Sequence, residues 1–174
     1  MKTRRLMNFL EKGAPPVVFN SCMIVAALHE HYRRKHGWLS FAELRIGTGY
    51  GKSSEQRLDF WTMHEWPSKG YIRKAFEIKV SRSDFLAEMR QPLKRRAALL
   101  VSNVFYFVTP PGLINPEELP LEAGLMEIYP TTSGAYHIET IHEAPQRDIA
   151  PPTWRFLAAV TRRALRDTPP EDTP

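Results

Sequence analysis

A charged pair interrupts an apolar segment of the chain, because Glu77 and Lys79 alternate with Phe76, Ile78 and Val80. Side chains two residues apart on a β-strand lie on the same face of the sheet. We therefore expect the acid and the amine to share one face while the apolar side chains enter the core. A carboxylate and an ammonium group held side by side can serve metal-assisted chemistry on a phosphate.

A second acid precedes this pair on another strand-like stretch, residues 57–64. Alternation along that stretch predicts that Asp59 lies on the face opposite Leu58 and Phe60. If the two stretches pair as neighbouring strands, Asp59 lies beside Glu77. Two carboxylates and one amine would then converge on a single patch.

These groups match the ligand preferences of Mg²⁺, which binds one or two carboxylates together with water and substrate phosphate oxygens. A cation between Asp59 and Glu77 would offset the repulsion that otherwise favours protonation of one of them. It would also make a bound water easier to deprotonate. Lys79 would orient this water, help to deprotonate it, or stabilise charge on the phosphate in the transition state. Mn²⁺ could substitute for Mg²⁺.

A plainer interpretation of the same residues is an exposed ion pair on a strand. The Glu-x-Lys triplet is common, and about one chance match is expected in every two chains of this length. Its context favours function, since it is the only such triplet in the chain, an Asp-bearing stretch precedes it and a basic helical region follows it.

The pattern of apolar residues and turn formers predicts the elements that position this patch. Helices are expected at residues 3–12, at 21–35, from Ser81 or Ser83 to 91, from there to 100 after Pro92, and at 152–166. Strands are expected at residues 39–46, 57–64, 71–80, 104–108, 125–129 and 136–141. The first three strands favour an antiparallel meander, and the continuous apolar fourth favours parallel pairing after a helical crossover. This order predicts an α/β sandwich around one mixed sheet.

Size and charge limit the possible functions. The chain has 174 residues, so residues 1–166 are expected to form one domain and residues 167–174 a loose tail. A net charge of +5 and a pI of about 9.5 favour a polyanionic partner, nucleic acid before a membrane. The single cysteine, Cys22, excludes an internal disulfide and a cysteine-based zinc site. No stretch approaches the ~20 apolar residues of a membrane helix, and a cytoplasmic location is expected.

Two segments together carry a resemblance to a known family. They are Leu58-Asp59-Phe60 and the longer run Phe76-Glu77-Ile78-Lys79-Val80-Ser81-Arg82-Ser83-Asp84-Phe85. The chain resembles the PD-(D/E)XK nuclease superfamily over about residues 40–130, and within it the MmcB-type DNA repair proteins. The aromatic strand at 105–108 and the Gly124-Leu125 pair fit the same pattern. The resemblance implies a restriction-endonuclease-like core with the element order αβββαβ, a central mixed sheet and flanking helices.

The resemblance also implies roles for individual residues. Asp59 and Glu77 would be the metal ligands, and Lys79 the catalytic lysine. A further catalytic acid is assigned to Glu43, with Glu30 as the alternative. The implied activity is magnesium-dependent hydrolysis of phosphodiester bonds, in DNA more than in RNA, during repair, recombination or phage genome handling. A homodimer would suit a double-strand cutter.

Basic residues crowd the helical region that follows the candidate site and could hold phosphates near the metal. The residues are Arg82, Arg90, Lys94, Arg95 and Arg96. A solvated helix face with ordinary surface charge is the alternative interpretation. Two further function classes also remain open, namely a nucleic-acid-binding module that has lost catalysis and a protein-interaction domain in which the Glu-x-Lys strand is structural.

Overall fold

The computed structural model of the chain describes residues 18–46 and 56–167. The helix expected over residues 3–12 lies outside the described residues, as does the expected tail beyond Asp167, which ends the last helix. Within these ranges the four α-helices are α1 (Ser21–Arg33), α2 (Arg82–Met89), α3 (Arg96–Val101) and α4 (Trp154–Asp167). The six strands are β1 (Trp38–Arg45), β2 (Arg57–His64), β3 (Arg73–Ile78), β4 (Val104–Thr109), β5 (Ala123–Pro130) and β6 (Tyr136–His142).

One mixed sheet contains all six strands, in spatial order β1-β2-β3-β4-β5-β6. Strands β1, β2 and β3 form an antiparallel meander. Strand β4 pairs parallel to β3, and β5 pairs parallel to β4, while β6 returns antiparallel. The predicted α/β class is confirmed, with helices flanking a central mixed sheet. The parallel pairing expected of the apolar strand β4 is also present, and α2 and α3 lie in its crossover.

Each face of the sheet has its own hydrophobic core. On one face, the α1 core joins Ile24 and Leu28 of α1 to Phe60 and Phe76 of the sheet. On the other face, the three-helix core is formed by α2, α3 and α4 over β2 and β4. Its largest members are Phe85, Phe156, Trp61, Phe105 and Phe107. Each such side chain contributes about 1.5–3 kcal/mol when fully buried, so both faces stabilise the strands that carry the candidate site.

Local signals in the sequence explain where the helices begin. The Asn20 side chain accepts a hydrogen bond from the Met23 amide at 2.9 Å, and Ser81 accepts one from the Asp84 amide at 3.2 Å. Both are N-caps that satisfy an otherwise unpaired helix amide. Within residues 18–46 and 56–167, none of the helices combines the length and hydropathy that a membrane span requires.

Strand alternation breaks beside the candidate site, and here one prediction was wrong. Leu58 belongs to the three-helix core whereas Phe60 belongs to the α1 core, so the two do not share a face. The neighbouring strand is irregular at the same level, because Glu43 has a positive φ of 54° between the paired Ala42 and Leu44. A non-glycine residue in this conformation redirects the strand, and simple two-residue alternation does not anticipate it.

Candidate active site

Strand β3 places Glu77 and Lys79 on the face of the three-helix core, because Phe76 and Ile78 enter the α1 core. The Lys79 Nζ atom donates a hydrogen bond to Glu77 Oε1 at 2.7 Å. The lysine lies just beyond the last residue of β3, and its amide donates to the Val108 carbonyl at 3.1 Å. Both neighbouring strands of β3 therefore help to fix the position of this pair.

Asp59 joins the pair through the backbone of β3. The regular pairing of β2 with β3 ends at Phe60 and Phe76. One residue further on, Asp59 Oδ2 accepts a hydrogen bond from the Ile78 amide at 2.9 Å. The carboxylate thus satisfies a strand amide at the point where the two backbones separate.

Asp59 is an expected metal ligand and is also the acceptor for the Ile78 amide. Two substitutions at this position should therefore differ in their effect on stability. Asp59→Ala leaves the Ile78 amide without its acceptor, and we expect the free energy of unfolding to fall by about 1–3 kcal/mol. Asp59→Asn keeps an oxygen acceptor and should cost less than about 1 kcal/mol. Urea denaturation of the two variants beside the wild type measures this difference. Equal losses in both variants would contradict a structural role for the hydrogen bond.

Glu77 is electrostatically unusual. Burial raises the pKa of its carboxyl to about 7, and the nearby charge of Asp59 acts in the same direction, against the opposing effect of Lys79. Burial lowers the pKa of Lys79, but Glu77, Glu88 and Asp59 outweigh this effect and raise it overall. The lysine is therefore an ammonium ion at neutral pH, and the two acids repel each other.

The raised pKa of Glu77 predicts a pH-dependent stability. The folded state holds the Glu77 proton more tightly than the unfolded chain does, so this stabilisation is present below the ordinary glutamate pKa of 4.5 and is lost as the pH rises through the folded-state pKa of about 7. From about pH 5 to pH 8, the wild type should lose on the order of 2 kcal/mol relative to Glu77→Gln. Urea titrations across this range, with Glu65→Gln as an exposed-acid control, test the difference. Parallel curves for wild type and Glu77→Gln would contradict it.

Glu88 is a third acid at the site, and the sequence reasoning missed it. It is only 4% exposed and lies 3.7 Å from Lys79 Nζ and 3.8 Å from Arg95 Nη1. A signal for it existed, because Glu88 follows the fully buried Phe85 by three residues on α2 and so shares its inward face. A charge on that face requires partners.

Arg95 is the second cation, beside Lys79, that the fold places near this buried acid. It is 5% exposed, donates to the Glu88 carbonyl at 3.4 Å and pairs with Glu122 Oε1 at 3.2 Å. Its burial and its two acidic neighbours do not support the predicted role as a free phosphate ligand. Its place is in an internal ion network that connects through Glu88 to Lys79.

A cavity of about 240 Å³ opens onto this network. Acidic and cationic side chains line it together, namely Glu77, Lys79, Glu88, Arg57, Lys94 and Arg95. Asp59 is not among the lining residues and affects the cavity through its charge on Glu77. The arrangement can receive a phosphate and a small cation.

The other predicted acids lie elsewhere. The Glu43 carboxylate pairs with Arg57 Nε at 2.5 Å and lines a different cavity. Glu30 pairs with Arg33 and Arg34 on α1, which packs on the opposite face of the sheet. The structure therefore does not bring either acid into the cavity that Glu77 lines.

Apart from the buried Arg95, the predicted basic cluster divides into three environments. Arg82 is paired with Glu118, and its Nη1 atom also donates to the Leu113 carbonyl at 3.3 Å. Arg90 and Lys94 are exposed, and Lys94 lines the site cavity. Arg96 is exposed beside a separate, more apolar cavity. Of the five residues, Lys94 is the exposed cation that the structure places at the site.

The carboxylates of the site fit a Mg²⁺ ion that takes only two of its ligands from protein side chains. Among the described residues, no group of three or more acid, histidine or cysteine side chains is arranged to hold a metal ion. Two carboxylates, Asp59 and Glu77, are close enough for one to raise the pKa of the other. A two-carboxylate site completed by water and phosphate oxygens is the usual arrangement for Mg²⁺.

Comparison with known proteins yields a structural likeness. The chain is similar to the solved structure of the SPO1766 protein of unknown function from Silicibacter pomeroyi, with a TM-score of 0.55 and 26% sequence identity. The likeness covers 86% of this chain and 92% of that one. No family model and no curated protein matches the chain. The α/β fold is thus shared, across most of both chains, with a solved bacterial protein.

Proposed function

We propose that the chain is a metal-dependent nuclease that hydrolyses phosphodiester bonds in DNA. The observation that carries the proposal is the meeting of Asp59, Glu77 and Lys79 beside one cavity that also has cationic walls. The resemblance of these segments to PD-(D/E)XK nucleases supports the same activity. The net charge of +5 supports a polyanionic substrate, and the single cysteine supports a reducing compartment, the cytoplasm.

In this proposal, Asp59 and Glu77 hold Mg²⁺ or Mn²⁺. When bound, the metal lowers the pKa of a coordinated water and offsets negative charge on the phosphate. Asp59 would contribute while one of its oxygens remains on the Ile78 amide. Glu77 would bind as the carboxylate and release the proton that its raised pKa retains at neutral pH.

In this proposal Lys79 acts as a positively charged hydrogen-bond donor and not as a base. The acids around it raise its pKa, so its Nζ atom carries three protons at neutral pH. One of them is directed to Glu77, and another can reach a phosphate oxygen or the attacking water in the cavity. The ammonium group would therefore stabilise the charge that builds on the phosphate during attack.

Hydrolysis adds the oxygen of water to phosphorus and breaks the bond to one sugar oxygen, and one proton of that water passes through the solvent to the leaving oxygen. Lys94 and Arg57, on the walls of the cavity, would hold neighbouring phosphates of the strand. Such contacts fix the register of the substrate without selecting bases. The expected activity is therefore insensitive to sequence.

The decisive experiment measures cleavage of labelled single-stranded, duplex, nicked and branched DNA and of single-stranded RNA. Each substrate is incubated with Mg²⁺, Mn²⁺ or chelator, using the wild type, Asp59→Asn, Glu77→Gln and the exposed-acid control Glu65→Gln. Metal-dependent cleavage that the first two variants lose and the control retains would establish the proposal. Salt-sensitive binding by a folded wild type that does not cleave under any condition would indicate a catalytically inactive binding module.

A further inference from the structure

A second cavity, of about 180 Å³, lies between β1, β2 and the second half of α4. Of the seven described residues that line it, five are arginines, so it is more cationic than the candidate active site. They are Arg45, Arg57, Arg162, Arg163 and Arg166. Among the described residues, Glu43 is the one acid in its wall, and Ala159 also lines it.

The fold brings these arginines together from two directions. Arg45 and Arg57 are directly paired across the β1–β2 ladder. Helix α4 lies against this region because Phe156 and Ala159 are buried under it. Positions 159, 162, 163 and 166 recur at helical spacing, so the arginines that follow Ala159 face the same cavity.

This concentration of charge is more than helix stability requires. One cation in the last turn is enough to complement the dipole at the carboxyl end of a helix. The guanidinium groups around one cavity repel each other, and among the described residues that line it Glu43 is the carboxylate that offsets part of this repulsion. Planar guanidinium groups bind phosphate through paired hydrogen bonds, so a phosphate is the ligand that this cavity fits.

Arg57 links the two cavities, because it lines both of them. We infer that the arginine cavity binds a backbone phosphate of a nucleic-acid strand whose neighbouring segment lies over the candidate active site. The inference rests on the proposed function, since it assumes that nucleic acid is the ligand there. It assigns the binding of the nucleic-acid strand to α4. The sequence had predicted this role for the basic residues in the helical region that follows β3.

Glu43 has a different role in this arrangement from the one expected of it. Its ion pair with Arg57 partly neutralises the cavity in the free protein. An incoming phosphate would compete with this carboxylate for the arginine. In this arrangement Glu43 therefore weakens the binding of a nucleic-acid strand. If Glu43 were instead a metal ligand, it would be required for cleavage.

The test is equilibrium binding of a fluorescein-labelled DNA duplex and single strand, in chelator, across a salt series. The variant Arg162→Gln/Arg166→Gln removes two exposed charges from the cavity. The matched control, Arg33→Gln/Arg34→Gln, removes the same net charge from α1, on the opposite face of the sheet. Circular dichroism of both proteins checks that they fold.

We expect the α4 variant to bind at least about fivefold more weakly than the control and to lower the slope of log K against log salt by about 1–2. Equal affinities and slopes in the two variants would overturn the inference, even if the wild type cleaves DNA. Weaker binding by the α4 variant would support it, even if no protein cleaves. Absence of salt-dependent binding by the wild type would also overturn it.

Glu43→Gln gives an independent test with the opposite sign. Releasing Arg57 from its carboxylate partner should strengthen DNA binding by about twofold or more. Unchanged or weaker binding by this variant would count against the arginine cavity as a phosphate site. Because this measurement is made in chelator, its outcome does not depend on whether the protein cleaves.

Discussion

Substitution of Lys79 by glutamine should lower the rate of metal-dependent DNA cleavage by about a hundredfold to a thousandfold. The reason is geometric, because the Nζ atom is held 2.7 Å from Glu77 in the wall of the cavity, and among the described residues Lys94 is the only other lysine that lines it. Binding of DNA in chelator should change by less than about threefold, since Lys79 is one of several cations there. Single-turnover cleavage and equilibrium binding measure the two quantities separately.

Two further variants make this result interpretable. Lys69→Gln removes a lysine from an exposed turn and should leave cleavage unchanged. Lys79→Arg keeps the positive charge and should retain more activity than Lys79→Gln if charge at this position matters. A Lys79→Gln protein that folds and cleaves at the wild-type rate would exclude Lys79 from the reaction.

Substitution of Arg95 by alanine should lower the free energy of unfolding by about 3 kcal/mol or more. Arg95 is buried between Glu88 and Glu122, and its removal leaves a nearly inaccessible Glu88 carboxylate with one fewer cation. Removing one partner of a buried ion network lowers the free energy of unfolding by more than the intact network adds to it, because the remaining charge stays desolvated. Chemical denaturation with urea gives the value directly.

Lys94 supplies a matched comparison, because it adjoins Arg95 in sequence and has the same charge but is exposed. Lys94→Ala should change the free energy of unfolding by less than about 0.5 kcal/mol and should weaken DNA binding instead. The reverse outcome, a stable Arg95→Ala protein with impaired binding, would restore Arg95 to the phosphate-binding role that the sequence suggested.

The order of the described elements and the pairing of the first four strands could be predicted because they depend on local patterns, whereas the pairing of β5 and β6 was not predicted. Asn20 and Ser81 cap helices where their residue types predict caps, and the unbroken apolar run of β4 indicated its parallel, fully buried position. The boundaries of β3 were less predictable. The strand starts at Arg73 because Gly70 and Tyr71 both have positive φ and prolong the preceding turn.

The candidate site could be predicted only where backbone geometry alone determined it. Glu77 and Lys79 share a face as strand alternation requires, whereas the break in alternation at Asp59 depends on a neighbouring strand. Whether a charge is free or paired depends on distant partners. Arg95 meets Glu122, and Arg82 meets Glu118, through contacts that no local pattern contains. The catalytic roles of the site residues stay predictions.

The crossover between β3 and β4 has a consequence for how the molecule is made. The meander β1–β3 involves neighbouring segments, but Glu88 and Arg95 lie in the crossover and the Lys79 amide bonds to Val108 on β4. Contacts between segments that are far apart in the sequence form late in folding. The entropy cost of closing the intervening loop comes before the stabilising contacts are made. During synthesis, the acids and the lysine thus emerge well before β4 can fix them. A growing or truncated chain would hold the reactive groups without the network that orders them, so the proposed activity would arise only in the finished protein.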